Sequence, residues 1–320
     1  MHAPRFVTCM SAVGVMALSA SFACAQDYPN RPIRVITAAV GGGIDFTARL
    51  VAHGLTTSLG QQVIVDNRGG TNVAPHTVAK ATPDGYTILI HNNTVWISPL
   101  LDKVPYDHEQ ELAPISLTSR SPNILVVHPS LPVNSVKELI ALGKAHPGAI
   151  NYASGPVGAS NHLAAELFKA LAGVNFVRIG YKGGGPALND LLSGHVPVMF
   201  ATTGSVTAHV RSGRLKGLAV TSAQPSALAP GLPTIAASGV PGYVSEAIYG
   251  MFAPAKTPVA IINRLHQETV RFLGLPETKE RFFNSGVETV GNSPQEFVAV
   301  IKSGTIRLDK VIKSAGIRVN

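Results

Sequence analysis

The sequence predicts an α/β protein of two lobes, each built on a mainly parallel sheet covered by helices on both faces. Three observations predict it. From Ile33 onward, short apolar runs alternate with amphipathic helical stretches, the pattern of strand–helix–strand units. The alternation restarts near Ile150, as a second sheet would require. Glycine clusters stand where strands give way to helices, at Gly41–Gly43, Gly155–Gly158 and Gly183–Gly185.

The elements follow in order. Ile33–Val40 reads as a strand, and after the glycines a helix runs from about Asp45 to Leu59, with Gly60 as its stop. Gln62–Val65 is the next strand. A helix near Val73–Ala81 is separated from the strand Tyr86–His91 by the turn Pro83-Asp84-Gly85. Ile124–Val127 is a further strand, and Ser135-x-x-Glu138 is a capping box that opens a helix to about Ala145. The second round comprises the strand Ile150–Ala153, the helix His162–Leu171, the strand Phe176–Tyr181 and the helix Pro186–Leu192. Strands near Val196–Phe200 and Leu215–Val220 complete it. The remainder, Pro258–Asn320, is mostly helical, and periodicity does not say which lobe it covers.

Composition removes several classes. The 320 residues suit two domains or one large α/β domain, 45% are hydrophobic and only 14% are charged, against ~25% in an average globular protein, so a disordered chain is excluded. The 26 Lys and Arg exceed the 18 Asp and Glu by eight, but no run of basic residues is longer than two. That diffuse positive field suits small anions, and nucleic acid is not expected. Residues 1–25 have the layout of a secretory signal peptide: Arg5, the apolar Val7–Leu18, and Ala23-Cys24-Ala25 before cleavage at Gln26. Lipidation at Cys24 is the alternative, but Ser21-Phe22-Ala23 lacks the usual leucine. Both cysteines, Cys9 and Cys24, fall inside this segment. The mature chain is therefore expected in the periplasm, without disulfide, thiol nucleophile or cysteine-bound metal.

Three strand–glycine–helix junctions, Gly41–Asp45, Ser154–His162 and Lys182–Pro186, leave backbone N–H groups at helix N-termini, where the dipole favours an anion. One such junction is an ordinary tight turn; three at the carboxyl ends of strands describe a binding crevice. The first also imitates a dinucleotide fingerprint, with Asp66 as the ribose acid, but Phe46 stands where the third glycine belongs. No G-x-S-x-G elbow, phosphate-binding G-x-x-x-x-G-K-[ST] or H-E-x-x-H motif occurs. Trp96, Tyr181, Phe200 and Tyr249 are aromatic candidates for either a pocket or the core. The residues alone describe an exported anion-binding α/β protein, with no cofactor, metal or catalytic set expected.

A resemblance carries the reading further. Tyr28-Pro29-Asn30-Arg31-Pro32-Ile33-Arg34, Gly41-Gly42-Gly43-Ile44-Asp45, Val65-Asp66-Asn67-Arg68 and Thr82-Pro83-Asp84-Gly85-Tyr86-Thr87 follow one another in a characteristic order. Asn151–Gly155, Asn161–Phe168, Tyr181–Gly184, Leu232–Thr234, Gly239–Tyr243 and Ala253–Pro258 continue it. In this order the whole mature chain resembles the solute-binding receptors of tripartite tricarboxylate transporters, the Bug family. The resemblance implies a two-lobed periplasmic binding fold (type II-like), with two doubly wound sheets joined by two crossovers and the ligand cleft between them. Residues 26–123 plus 250–320 would form one lobe and 124–249 the other. The protein would be a monomer that captures a small organic carboxylate and passes it to the membrane permease subunits. A sensor that signals to a membrane partner without transport, and less readily a periplasmic hydrolase, are the competing functions.

The resemblance also implies the site. One carboxylate would be held by the turn containing Ser154, Gly155, Gly158, Ala159, Ser160 and His162. The other lobe would contribute Val40, Gly41, Gly42, Gly43, Ile44 and Asp45, with Asn92, Tyr181, Lys182 and Ala201 around the ligand. Departures from the family pattern bear on selectivity. Ala201 stands where many relatives have an Asp that would accept an ammonium, and Ala38, Ala39 and Ile44 make a roomier, more apolar wall. A non-amino acid is therefore expected, with aromatic or longer aliphatic mono- or dicarboxylates ahead of aspartate, glutamate or citrate.

Overall fold

A computed structural model of the chain describes residues 28–40, 43–70, 72–155 and 157–315; the proposed signal segment 1–25 lies outside them. The chain begins with β1 (Ile33–Thr37), α1 (Gly43–Leu59), β2 (Val63–Asn67), α2 (Val73–Ala79) and β3 (Thr87–Asn92). Here β1 lies between β2 and β3, parallel to both. Two short helices, α3 (Thr94–Leu101) and α4 (His108–Glu111), lead to a 16-residue strand, β4 (Leu112–Val127). Then come α5 (Val136–Ala145), β5 (Asn151–Ser154), α6 (Ser160–Ala172), β6 (Val177–Gly180), α7 (Gly184–Leu192) and β7 (Val198–Thr202). They repeat the first topology: β5 lies between β6 and β7, again parallel. The chain continues through α8 (Thr203–Arg211), β8 (Lys216–Val220), β9 (Glu246–Pro254), α9 (Val259–Gly274), α10 (Pro276–Asn284), β10 (Glu288–Thr289) and α11 (Pro294–Ala315).

The strand β4 belongs to both sheets. Its Leu112–Pro122 part pairs antiparallel with β9, which in turn pairs antiparallel with β3. Its Asn123–Val127 part lies between β7 and β8, antiparallel to both. The chain thus crosses between lobes once along β4 and returns where Ser245 leaves Thr221 and Glu246 meets Pro122. Each sheet is mixed: three parallel strands completed by antiparallel crossing strands.

Each lobe has its own core. In the second, Phe168 contacts Phe176, Phe200 and Tyr243 with centroids 5.5–6.3 Å apart. In the first, Ile33, Val35, Ile88 and Ile90 pack with Leu265, Leu273 and Phe282, so the C-terminal helices return to the first sheet. Trp96, Phe252 and Phe297 form a further cluster under α11. Sequence signals act locally as expected: Ser135 Oγ accepts the Glu138 N–H, and Gly173, at φ 64°, closes α6 in the left-handed region.

Where β4 crosses, the lobes meet backbone to backbone. A Cβ on Gly286 would run into the N and Cα of Gly204, and one on Gly204 would lie 2.7 Å from the Ser285 carbonyl oxygen. Ser121 Oγ donates to the Gly286 carbonyl at 2.8 Å, and Thr203 Oγ1 donates to the Pro122 carbonyl at 2.5 Å.

Candidate functional site

The carboxyl ends of the parallel strands of both lobes face one cleft of about 690 Å³. The first lobe supplies Ala38, Ala39 and Ile44 around the start of α1, Gly70 and Asn72 ahead of α2, and His91, Asn92, Thr94, Ile97, Ser98, Leu101 and Asp102 from the β3–α3 segment. The second lobe supplies Val157, Gly158 and Ala159 before α6, and Lys182 before α7. The N-cap residues of α6 and α7, Ala159 and Gly183, make no side-chain cap, although within the first turn of α6 the His162 N–H donates to Asn161 Oδ1 at 2.9 Å. Lys182 is exposed and has no carboxylate partner among the described residues.

Seven of the residues expected from the sequence line this cleft: Ala38, Ala39, Ile44, Asn92, Gly158, Ala159 and Lys182. Gly41 and Gly42 lie outside the described residues. The others sit elsewhere, each for a physical reason. Val40 is 72% exposed on the rim. Gly43 opens α1 beneath the Tyr249 hydroxyl, where a Cβ would approach to 2.6 Å. Asp45 points into the fold, its carboxylate accepting from Asn67 Nδ2 at 2.7 Å and from Arg49 at 3.0 Å. Ser154 is fully buried; its Oγ accepts from Arg178 Nε at 2.8 Å, and the Gly155 carbonyl accepts from Arg178 Nη2 at 2.8 Å. Arg178 therefore holds the turn from behind. His162 is buried too, and its Nδ1 accepts the Gly158 N–H at 3.2 Å, which turns that amide toward the helix. Burial, reinforced by the Arg178 guanidinium, pulls its imidazole pKa down to about 4, so it is neutral at pH 7. Ser160 faces a smaller cavity of about 170 Å³ behind the cleft, between α3, α6 and α11. Tyr181 donates its hydroxyl to Asp190 at 2.7 Å, and Ala201 is sealed in the second core. None of the aromatic candidates Trp96, Tyr181, Phe200 and Tyr249 lines the cleft.

The wall formed by α3 is the part that sequence reasoning missed. Its only signal in the sequence is the polar run His91-Asn92-Asn93-Thr94 at the end of the apolar strand, of which Asn92 alone is expected at the site. Thr94 Oγ1 donates to Asn92 Oδ1 at 2.6 Å, and the Thr94 N–H donates to the same oxygen at 3.2 Å. His91 is 2% exposed, with burial lowering its pKa to about 4.

Comparison with known proteins bears on the fold and the family. The family described as "Tripartite tricarboxylate transporter family receptor" matches residues 47–317. The protein BugT of Bordetella pertussis is 33% identical over 319 residues, covering 97% of this chain and 98% of that protein. Among solved structures, a protein of R. palustris with adipate shares 34% identity at a TM-score of 0.80, covering 91% of this chain and 99% of that one. MatC of Rhodopseudomonas palustris with bound malate shares 25% identity at a TM-score of 0.76, covering 89% and 100%. The periplasmic binding protein BugD shares 33% at 0.76, covering 91% and 99%. With the crossing strand, the two-lobed fold and the interlobe cleft all present, the chain belongs to the family of tripartite tricarboxylate transporter receptors.

Proposed function

We propose that this protein is a periplasmic solute receptor, not an enzyme, that captures a small organic carboxylate between its lobes and delivers it to a tripartite tricarboxylate-type permease. The observation that carries this reading is the convergence of the α6 and α7 N-termini, whose N-cap residues make no side-chain cap, and the unpaired Lys182 on one cleft. Helix N-termini and a cation hold a carboxylate without a dedicated arginine. The sequence bounds 26–123 plus 250–320 and 124–249 describe the lobes in this reading, with the second boundary moved back to about residue 245 because β9 (Glu246–Pro254) pairs in the first sheet. Residues 1–25 direct export. The ligands of the adipate and malate complexes support a dicarboxylate. Ala38, Ala39, Ile44 and Leu101 give the cleft an apolar side that suits a carbon chain or ring. A thermal-shift screen of mono- and dicarboxylic acids tests the reading. A ligand at a hundredfold excess over Kd stabilises the native state by ~2.7 kcal/mol. A screen in which sugars or amines shift the melting temperature and no carboxylic acid does would overturn it.

A further inference from the structure

A second groove, of about 450 Å³, lies between α6 of the second lobe and α11 of the first. The two helices meet where Leu163 enters the cluster under α11. Leu167 and Leu171, one and two turns further along α6, form one wall of the groove. Ile306, Arg307 and Lys310, on one face of α11, form the other. At a rise of about 1.5 Å per residue, Leu171 stands about 18 Å along α6 from the Ala159 turn. The groove shares no residue with the ligand cleft.

Two features give this groove a chemistry of its own. Leu171 is 45% exposed and Ile306 61%, so large apolar side chains from two helices stand together in water. Its charge is of one sign. Lys310 is exposed, and neither it nor Arg307 makes a salt bridge among the described residues. Arg307 Nε has no hydrogen-bond acceptor there, and the nearby Asp309 is taken by Lys313 at 2.7 Å.

We propose that this groove docks an acidic amphipathic helix of the membrane partner, its apolar face between α6 and α11 and its carboxylates on Arg307 and Lys310. This rests on the receptor reading above and adds where the partner binds and by what chemistry. A groove recessed between two helices does not reach into a bilayer, which takes up a protruding apolar face. A second copy of this chain would set the same cations against each other. An acidic helix meets both the apolar walls and the charge. Seated here it touches both lobes, and so senses the angle between them.

Fluorescence anisotropy with a labelled helical peptide of about 18 residues, leucines on one face and glutamates elsewhere, tests this against a twin with lysines for the glutamates. The glutamate peptide should bind about tenfold more tightly than its twin. Lys310→Glu and, separately, Ile306→Asp should each weaken it about tenfold, with far-ultraviolet spectra unchanged. Lys256→Glu, the same charge change at an exposed position outside the groove, should leave it unaltered. Equal binding of the two peptides, or an equal loss in Lys256→Glu and Lys310→Glu, would overturn the docking site. So would association with phosphatidylglycerol vesicles, or a dimer in sedimentation, that Ile306→Asp abolishes. Any of these results in a protein whose melting temperature still rises with a carboxylic acid leaves the receptor reading standing.

Discussion

Replacing Gly286 by alanine tests whether the two lobes are held at the crossing by backbone contact. Gly286 has φ +75°, a left-handed conformation that costs an alanine about 1–2 kcal/mol. Its new Cβ would also run into the backbone of Gly204 in the other lobe, and overpacking of that kind costs about 1–3 kcal/mol. Together the loss is about 2–5 kcal/mol. At about 2 °C per kcal/mol for a protein of this size, the melting temperature should fall by about 4–10 °C. Gly213 supplies the control, because its φ is +72° and no atom lies within 4 Å of where a Cβ would stand. Gly213→Ala should therefore lose only the conformational part, about 1–2 kcal/mol. Circular dichroism melts of both variants and the parent decide the matter. If the two variants melt at the same temperature, the contact across the crossing contributes nothing and the reasoning fails.

Three further outcomes are expected. Gly158→Val should weaken carboxylate binding at least tenfold, about 1.4 kcal/mol, with the far-ultraviolet spectrum unchanged, since the residue lines the cleft at φ +83°; undiminished titration by calorimetry would remove this turn from the site. Saturating ligand should reduce the radius of gyration in small-angle scattering, because groups from both lobes face the cleft; superimposable curves would count against closure. Stability should fall as pH drops from about 6.5 toward 4. The native state holds His91 and His162 neutral to about 4, whereas the unfolded chain takes up protons below about 6.5. Stability from these two groups is complete above that range. His162→Gln should flatten the slope of melting temperature against pH, and an unchanged slope would contradict the assignment.

Much of the fold is legible in the sequence because its rules are local. The parallel strands, the glycine stops and the Ser135 cap each declare themselves within a few residues. The strand β4 does not. Only Ile124–Val127 reads as a strand, because Pro114, Ser116, Thr118, Ser119, Ser121 and Pro122 interrupt the apolar pattern. Three of their hydroxyls are met from afar: Ser116 Oγ by the Asn292 carbonyl at 2.8 Å, Thr118 Oγ1 by the Tyr249 carbonyl at 2.9 Å and Ser121 Oγ by the Gly286 carbonyl at 2.8 Å. Partners more than a hundred positions away leave no trace in a local window. The strand β9 is missed with it, since the two strands define each other. The site divides along the same line. Glycines before a helix mark Gly158 and Ala159, but whether Ser154 or His162 faces ligand or core depends on Arg178, which sits on another strand and declares nothing in its own neighbourhood.

The crossing of the chain also sets an order of events in time. The second lobe is drawn from one uninterrupted stretch, so its sheet can be completed as soon as β8 has emerged. The first lobe cannot. Its strand β3 waits for β9, which lies more than 150 residues downstream, and its core waits for Leu265 and Phe282 beyond that. A chain that emerges from its N-terminus therefore holds β1, β2 and β3 with an open edge until nearly all of it is available. Long-range pairing of this kind is slow and leaves apolar strands exposed meanwhile. The half of the receptor that is written first is the half that is finished last.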